Sequence, residues 1–298
     1  MPMFETIVYE KRDKIVYITL NRPEILNAVS DQVAEELGEA WFEFDADPEA
    51  HVAILKGNGR AFCSGADVRQ RQLRPREELE RFGGPGGGRS RGRGGSMLGS
   101  PVNWKPIIAA VHGYAYGYGA SLSLMCDLVV AAEGTQFQYT EVRRGLMGAS
   151  CSAHLWFMTG DRFANEMAIT GRACSAEEAL QHGLINRVVP QSKLVSTAEE
   201  LAEEILKNPP LSIRSSVRIE RWFGEELSRK AGLYQQSLKL HLTQDFHEGA
   251  LEFMEKRQPV STGVSRIQKT GKLRRLVSQS RANRLSWRCE KRQRWATI

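Results

Sequence analysis

The chain has 298 residues, enough to bury a full core, and its 41% hydrophobic and 26% charged residues exclude a fibrous or wholly disordered polymer. No run approaches the roughly 18 consecutive apolar residues of a membrane span, and the opening "MPMFETIVYEKRDK" lacks the apolar centre of a secretion signal, so a cytoplasmic protein with no membrane partner is predicted. The net charge of +6 sums unlike parts: residues 261–298 hold eleven Lys or Arg and one acid, Glu290, leaving 30 basic against 34 acidic residues in 1–260, so the body offers no basic nucleic-acid face.

In chain order, "KIVYITLN" (14–21) alternates and is rich in β-branched residues, which predicts a strand. "SDQVAEELGEAWFEFDAD" follows with apolar residues at helical spacing and Ser30 as N-cap. "HVAILKG" (51–57), "KPIIAAVHG" (105–113), "DLVVAAE" (127–133) and "INRVVP" (185–190) are further short apolar strands, with helical segments between them. Such alternation predicts an α/β fold, because parallel strands need long crossover connections. "STAEELAEEILKN" (196–208) predicts a helix opened by a Ser196–Glu199 capping box, and the helical pattern runs from about Glu225 to Lys256. The domain reading is a core over 1–195, a helical C-terminal region over 196–260 and a disordered basic tail over 261–298.

"RFGGPGGGRSRGRGGS" (81–96) has eight glycines in sixteen residues and reads as a flexible surface loop. Its Arg89, Arg91 and Arg93, with the tail, are the one feature that would suit RNA; solvated loop and tail are the preferred reading, and no nucleic-acid partner is predicted. The five cysteines, Cys63, Cys126, Cys151, Cys174 and Cys289, are scattered without metal-ligand spacing, which predicts neither disulfides nor a metal site.

The chemistry is concentrated in glycine turns. "GYAYGYGASLSL" (113–124) places Gly113, Gly117 and Gly119 where a strand gives way to a helix. It lacks the lysine of a phosphate loop and the third glycine of a dinucleotide loop. What remains is a bare helix start, whose unpaired N–H groups and dipole attract developing negative charge. "RAFCSGADVRQ" (60–70) is a second turn of this kind, with Asp67 as cap of the following helix.

These turns, with "LNRPEILNA" (20–28), "ANEMAITGRACSAEEALQHGLINRVVP" and "EGALEFMEKRQPV", resemble the crotonase superfamily, the enoyl-CoA hydratase/isomerase family, over roughly residues 3–260. The resemblance implies a crotonase-like spiral of ββα repeats with a helical C-terminal oligomerisation region, assembled as a homotrimer or dimer of trimers. It implies an acyl-CoA substrate, with coenzyme A part of that substrate and no separate cofactor. The thioester oxygen would accept from the backbone N–H groups of Ala66 and Tyr118, with Gly65, Asp67, Val68 and Gly117 beside the substrate.

The resemblance also places proton transfer on two positions, where hydratases of the family carry glutamates. Here the first is Ser121 and the second Glu141. A serine hydroxyl does not titrate near neutral pH, whereas a desolvated glutamate can be tuned there. One carboxylate can shuttle a proton between two carbons, or hold a water while Ser121 donates a hydrogen bond. Isomerisation, hydration and a hydroxycinnamoyl-CoA type of hydratase/lyase reaction all stay open, as do an RNA-binding or catalytically silent member of the fold. A further departure is "GLMGASCSAHLWFMTG" (145–160), which lacks the family's proline and paired glycines and is one residue shorter. His112 and His154 read as core or interface residues, and Tyr234 and the acids of 77–80 are reserve candidates for proton transfer.

Overall fold

A hairpin opens the fold of the computed structural model, which describes residues 4–84, 97–98, 101–258, 260–265 and 274–275. β1 (Ile7–Arg12) pairs antiparallel with β2 (Ile15–Leu20), and Asp13 turns between them at φ +52°. Ser30 accepts from Val33 N and starts α1 (Asp31–Ala46), which buries Val33, Leu37, Ala40, Trp41 and Phe44 as one apolar stripe. β3 (Val52–Gly57), a π-helical turn over Val68–Gln72 and α2 (Arg76–Phe82) follow.

The chain then repeats a strand, a shorter strand and a helix: β4 (Ile107–Val111), β5 (Tyr114–Tyr116) and α3 (Tyr118–Leu124). The next turn is β6 (Leu128–Ala132), β7 (Gln136–Gln138), α4 (Ala149–Thr159) and α5 (Asp161–Thr170). β8 (Ala173–Ser175), α6 (Ala176–Gln181) and β9 (Arg187–Val189) complete the sheets, and α7 (Leu194–Leu206), α8 (Pro210–Leu238) and α9 (Gln244–Glu255) end the body. First strands build a six-stranded sheet in the order β1-β2-β3-β4-β6-β9, parallel from β2 onward, and second strands build a sheet β5-β7-β8.

The large sheet is covered on both faces, which explains why its strands read as continuous apolar runs. Val16, Ile18, Ala53, Leu55, Ala109 and Val111 point into the core shared with α1, while Tyr17, Ile54, Ile108, Ala110 and Val130 meet Leu194, Ala198 and Ala202 of α7. The helix that opens the predicted C-terminal region is therefore a layer over this sheet. It starts at Leu194, after a 3-10 turn, and no capping box forms: Ser196 donates to Lys193 O at 3.1 Å inside the helix, and Glu199 accepts from Tyr17 Oη at 2.7 Å. The long helical pattern over 225–256 is also two elements, because Lys239 at φ +47° breaks the chain between α8 and α9. Arg89, Arg91, Arg93 and most of the basic tail lie outside the described residues, and at 264–265 and 274–275 the chain makes a short antiparallel pair.

Candidate active site

Successive turns of the repeat bring one residue each to one place. Cys63 bridges in parallel to Ala115, and β5 runs parallel to β7 with Ala115 opposite Phe137, so the Cys63 segment, β5 and β7 lie side by side. Ala66 follows Cys63 by three positions, Tyr118 follows Ala115 by three and Glu141 follows Phe137 by four. All three line one cleft, together with Gly65, Asp67, Val68, Gly117, Gln138 and Thr140.

The two glycine turns touch. A Cβ on Gly65, at φ +109°, would stand 2.9 Å from Tyr116 O and 3.8 Å from Tyr118 N. Glycine is what allows the Ala66 and Tyr118 segments to lie against each other. Val29 flanks Ala66, donating to Gly65 O at 2.8 Å and accepting from Asp67 N at 2.9 Å. A parallel bridge of this form turns the N–H of Ala66 itself away from Val29. Asp67 caps the following turn by accepting from Gln70 N at 3.3 Å. Tyr118 is the first residue of α3, and the helix's first internal bond runs from Ser121 N to Gly117 O, so the Tyr118 N–H lies in the turn that helices leave for outside acceptors. Gly117, at φ +50°, donates to Gln138 O at 2.7 Å and holds that turn to β7.

Glu141 stands beside this pair. Its Oε1 lies 3.7 Å from where a Gly117 Cβ would be, and its Oε2 is buried without a hydrogen-bond partner among the described residues. Burial pushes its carboxyl up to about 7. No salt bridge forms to Arg143 or Arg144: Arg144 pairs with Glu252 at 2.5 Å, and Arg143 is exposed on the same 3-10 turn over Val142–Arg144. Glu141 is therefore not a surface ion-pair residue, although two arginines follow it in the chain. Gly148, at φ +58°, backs the side chain, and α9 supports the loop: Gly145 and Gly249 leave room for close backbone contact with Asp245–Phe246 and with Arg144.

Ser121 is placed behind this arrangement. It is 1% exposed, its Oγ donates to Gly117 O at 3.2 Å, and it is not among the residues that line the cleft. An α-helix turns position 121 back onto the carbonyl four residues earlier, a geometry small hydroxyl side chains adopt readily. His112 is a core residue, its Nε2 2.9 Å from Gly59 O, and His154 packs against Gly224 with burial pulling its pKa down. Tyr234 is 62% exposed on α8, and neither it nor Glu77, Glu78 or Glu80 lines the cleft. Among the described residues no group of three or more His, Cys, Asp or Glu is set to hold a metal ion. No helix there is long and apolar enough to cross a membrane.

Two contributors were missed in the sequence. Arg71 is buried in the turn after Ala66 and lies over the Tyr118 ring, 5.6 Å from its centroid; a lone arginine in a polar run gives no sign of burial. Gly148 was one glycine in a stretch noted only for what it lacks.

A family model described as enoyl-CoA hydratase/isomerase matches residues 10–263. The chain is 37% identical over 252 residues to mevalonyl-coenzyme A hydratase sidH of Aspergillus fumigatus, covering 82% of this chain and 90% of that one. It is 33% identical over 267 residues to (E)-benzylidenesuccinyl-CoA hydratase of Thauera aromatica, covering 87% and 99%. The solved structure of an enoyl-CoA hydratase from Mycobacterium avium subsp. paratuberculosis K-10 superposes with a TM-score of 0.73 at 26% identity, covering 87% of this chain and all of that one.

Proposed function

The chain belongs to the enoyl-CoA hydratase/isomerase family, and from that premise we propose that it adds water across the 2,3 double bond of an enoyl-CoA thioester, or removes it, with Glu141 as both acid and base. The observation that carries this reading is the Glu141 carboxyl, tuned to about 7, beside the turn that presents Tyr118 N–H. The relatives named as CoA hydratases support hydration over isomerisation.

In this reading the thioester oxygen accepts from Ala66 N–H and Tyr118 N–H. Glu141 takes a proton from water as the water oxygen bonds C3, and the π electrons collect as an enolate on the thioester oxygen. The enolate then takes, at C2, the proton that Glu141 holds. A C3–O and a C2–H bond form, the π bond and one water O–H bond break, and Glu141 ends as it began. One carboxylate suffices when both groups add from the same face. Each backbone donor contributes on the order of 10²- to 10³-fold in rate.

Ser121 keeps the Gly117 carbonyl in place rather than holding water, and Gly65, Asp67, Val68 and Gly117 frame the thioester. Coenzyme A enters as part of the substrate, and no separate cofactor takes part. A silent scaffold would have no use for a buried carboxyl kept beside a cleft with one oxygen unpaired. The homotrimer, or dimer of trimers, finds support in the apolar residues α8 exposes, Leu211, Ile219, Trp222 and Phe223, which a second copy would cover.

The test is to incubate the protein with 2-enoyl-CoA thioesters of several acyl types, following the conjugated thioester band and the mass of the product. Loss of the band with gain of one water is the expected result. Turnover of no CoA thioester would sink the assignment, and conversion of 3-enoyl to 2-enoyl thioesters without a hydroxyacyl product would replace hydration by isomerisation.

A further inference from the structure

Arg71 is a large charged side chain in an unfavourable place. It is 2% exposed, and among the described residues its Nε and Nη1 have no hydrogen-bond partner. The carboxylate it pairs with among the described residues, Asp31, is shared: Arg74 Nη2 lies 2.5 Å from Asp31 Oδ1, whereas Arg71 Nε is 3.5 Å away. A buried guanidinium this poorly matched is costly, and an apolar side chain would fill the space more favourably. What the guanidinium does face is Tyr118, with its central carbon 5.6 Å from the ring centroid, within reach of a cation–π attraction.

The two partners belong to the two halves of the oxyanion site. Arg71 sits on the turn that Asp67 caps, directly after Ala66, and that turn is well anchored. Arg71 N donates to Asp67 O at 2.8 Å, Arg74 Nε to Gln70 O at 3.0 Å, and Gln72 Nε2 to Phe246 O of α9 at 3.1 Å. The Tyr118 turn is softer by composition, because Gly117 and Gly119 flank it and Tyr118 carries the one side chain by which 117–119 can be held.

We propose that Arg71 is a positioning residue for the oxyanion site: it holds the Tyr118 ring against the turn that carries Ala66, and thereby sets the separation of the two donating N–H groups. The proposal rests on the reading of Ala66 and Tyr118 as thioester donors given above. It also gives the tyrosine a purpose, since a residue without a side chain at 118 would offer nothing to hold.

The experiment combines steady-state kinetics with a spectroscopic probe, an arylacryloyl-CoA with an electron-donating para substituent, whose absorption moves to longer wavelength as its carbonyl is polarised. In Arg71→Met the bound probe should lose most of its red shift and kcat should fall on the order of 10-fold, with KM within about threefold of wild type. Arg71→Lys, which keeps the charge but not the planar face, should recover only part of both. Tyr118→Gly should show the same loss, and adding Arg71→Met to it should cost less than about twofold more. Should Arg71→Met fail to fold, Tyr118→Leu removes the π face with Arg71 in place and must reproduce the lost red shift. Wild-type red shift in Arg71→Met or Tyr118→Leu, or losses that multiply fully in the double variant, overturn the proposal. A wild-type protein that neither turns over nor red-shifts any thioester overturns the donor assignment itself, and this proposal with it.

Discussion

Gly148 and Glu141 stand so close that a Cβ on Gly148 would lie 2.8 Å from Glu141 Cγ and 3.0 Å from its Cβ. Gly148 also has φ +58°, a left-handed conformation that disfavours a side chain. The carboxylate stem is thus packed from behind, with Oε1 directed towards the Gly117–Tyr118 turn. Gly148→Ala should displace Glu141 and lower kcat on the order of 10-fold or more, since misplacing a reacting group by about 1 Å is that costly. Thioester binding, measured by titration, should change little, and wild-type kcat would show that the stem tolerates the shift.

Glu141→Gln keeps the size of the side chain and removes the proton acceptor. Turnover should fall by roughly 10² or more, while binding of a CoA thioester stays within a few-fold of wild type. The donors at Ala66 and Tyr118 are main-chain groups that this change leaves in place. Retained turnover would move the proton transfer to another group, with His241, which lines the same cleft, next in line.

The same residue sets a pH dependence in two observables. As a base, Glu141 must be ionised, so kcat/KM for hydration should rise through about pH 7, the value to which burial pushes it. Stability runs the other way. A carboxyl whose pKa is raised by folding holds its proton more tightly in the native state, so its contribution is present below the unfolded value and is lost as pH rises through about 7. Glu141→Gln removes that loss, and urea unfolding should find the variant stabilised relative to wild type at pH 8 by up to about 3 kcal/mol, with the difference shrinking towards pH 5. A difference that does not vary with pH would show that the native carboxyl titrates normally.

Much of this site was legible because its chemistry is made by backbone turns. Gly65, Gly117 and Gly119 are dictated by close approach and leave a local mark in the sequence, as do the apolar strands that carry them. Glu141 was placed by resemblance alone, since nothing local distinguishes it from a surface acid beside two arginines. What remained hidden depends on contacts between distant segments. Ser121 looks free for catalysis until α3 folds it back on Gly117 O, and Arg71 looks solvated until α1 supplies Asp31 and α3 supplies the Tyr118 ring. The Ser196–Glu199 pattern misled because the start of α7 is set by packing: Leu194, Ala198 and Ala202 must face Ile54 and Ile108, which puts Ser196 within the helix.

A last prediction concerns how α8 is held to the sheet. Arg221 donates from Nε to Asp127 Oδ1 at 2.8 Å and from Nη2 to Oδ2 at 2.5 Å, and it reaches Lys105 O at 3.2 Å. The side chains are 6% and 13% exposed, and Asp127 Oδ2 also accepts from Ile107 N at 2.6 Å, at the start of β4. Arg221→Met fills the space but leaves a buried carboxylate without its cation, so unfolding in urea should show a loss of about 3–5 kcal/mol. Arg221→Met combined with Asp127→Asn removes the uncompensated charge and should recover part of that loss, because the amide oxygen of the substituted side chain can still accept from Ile107 N. Should the double variant be as unstable as the sum of the single ones, the ion pair would not be the link between α8 and the sheet, and the packing of α8 on α4 would have to carry it.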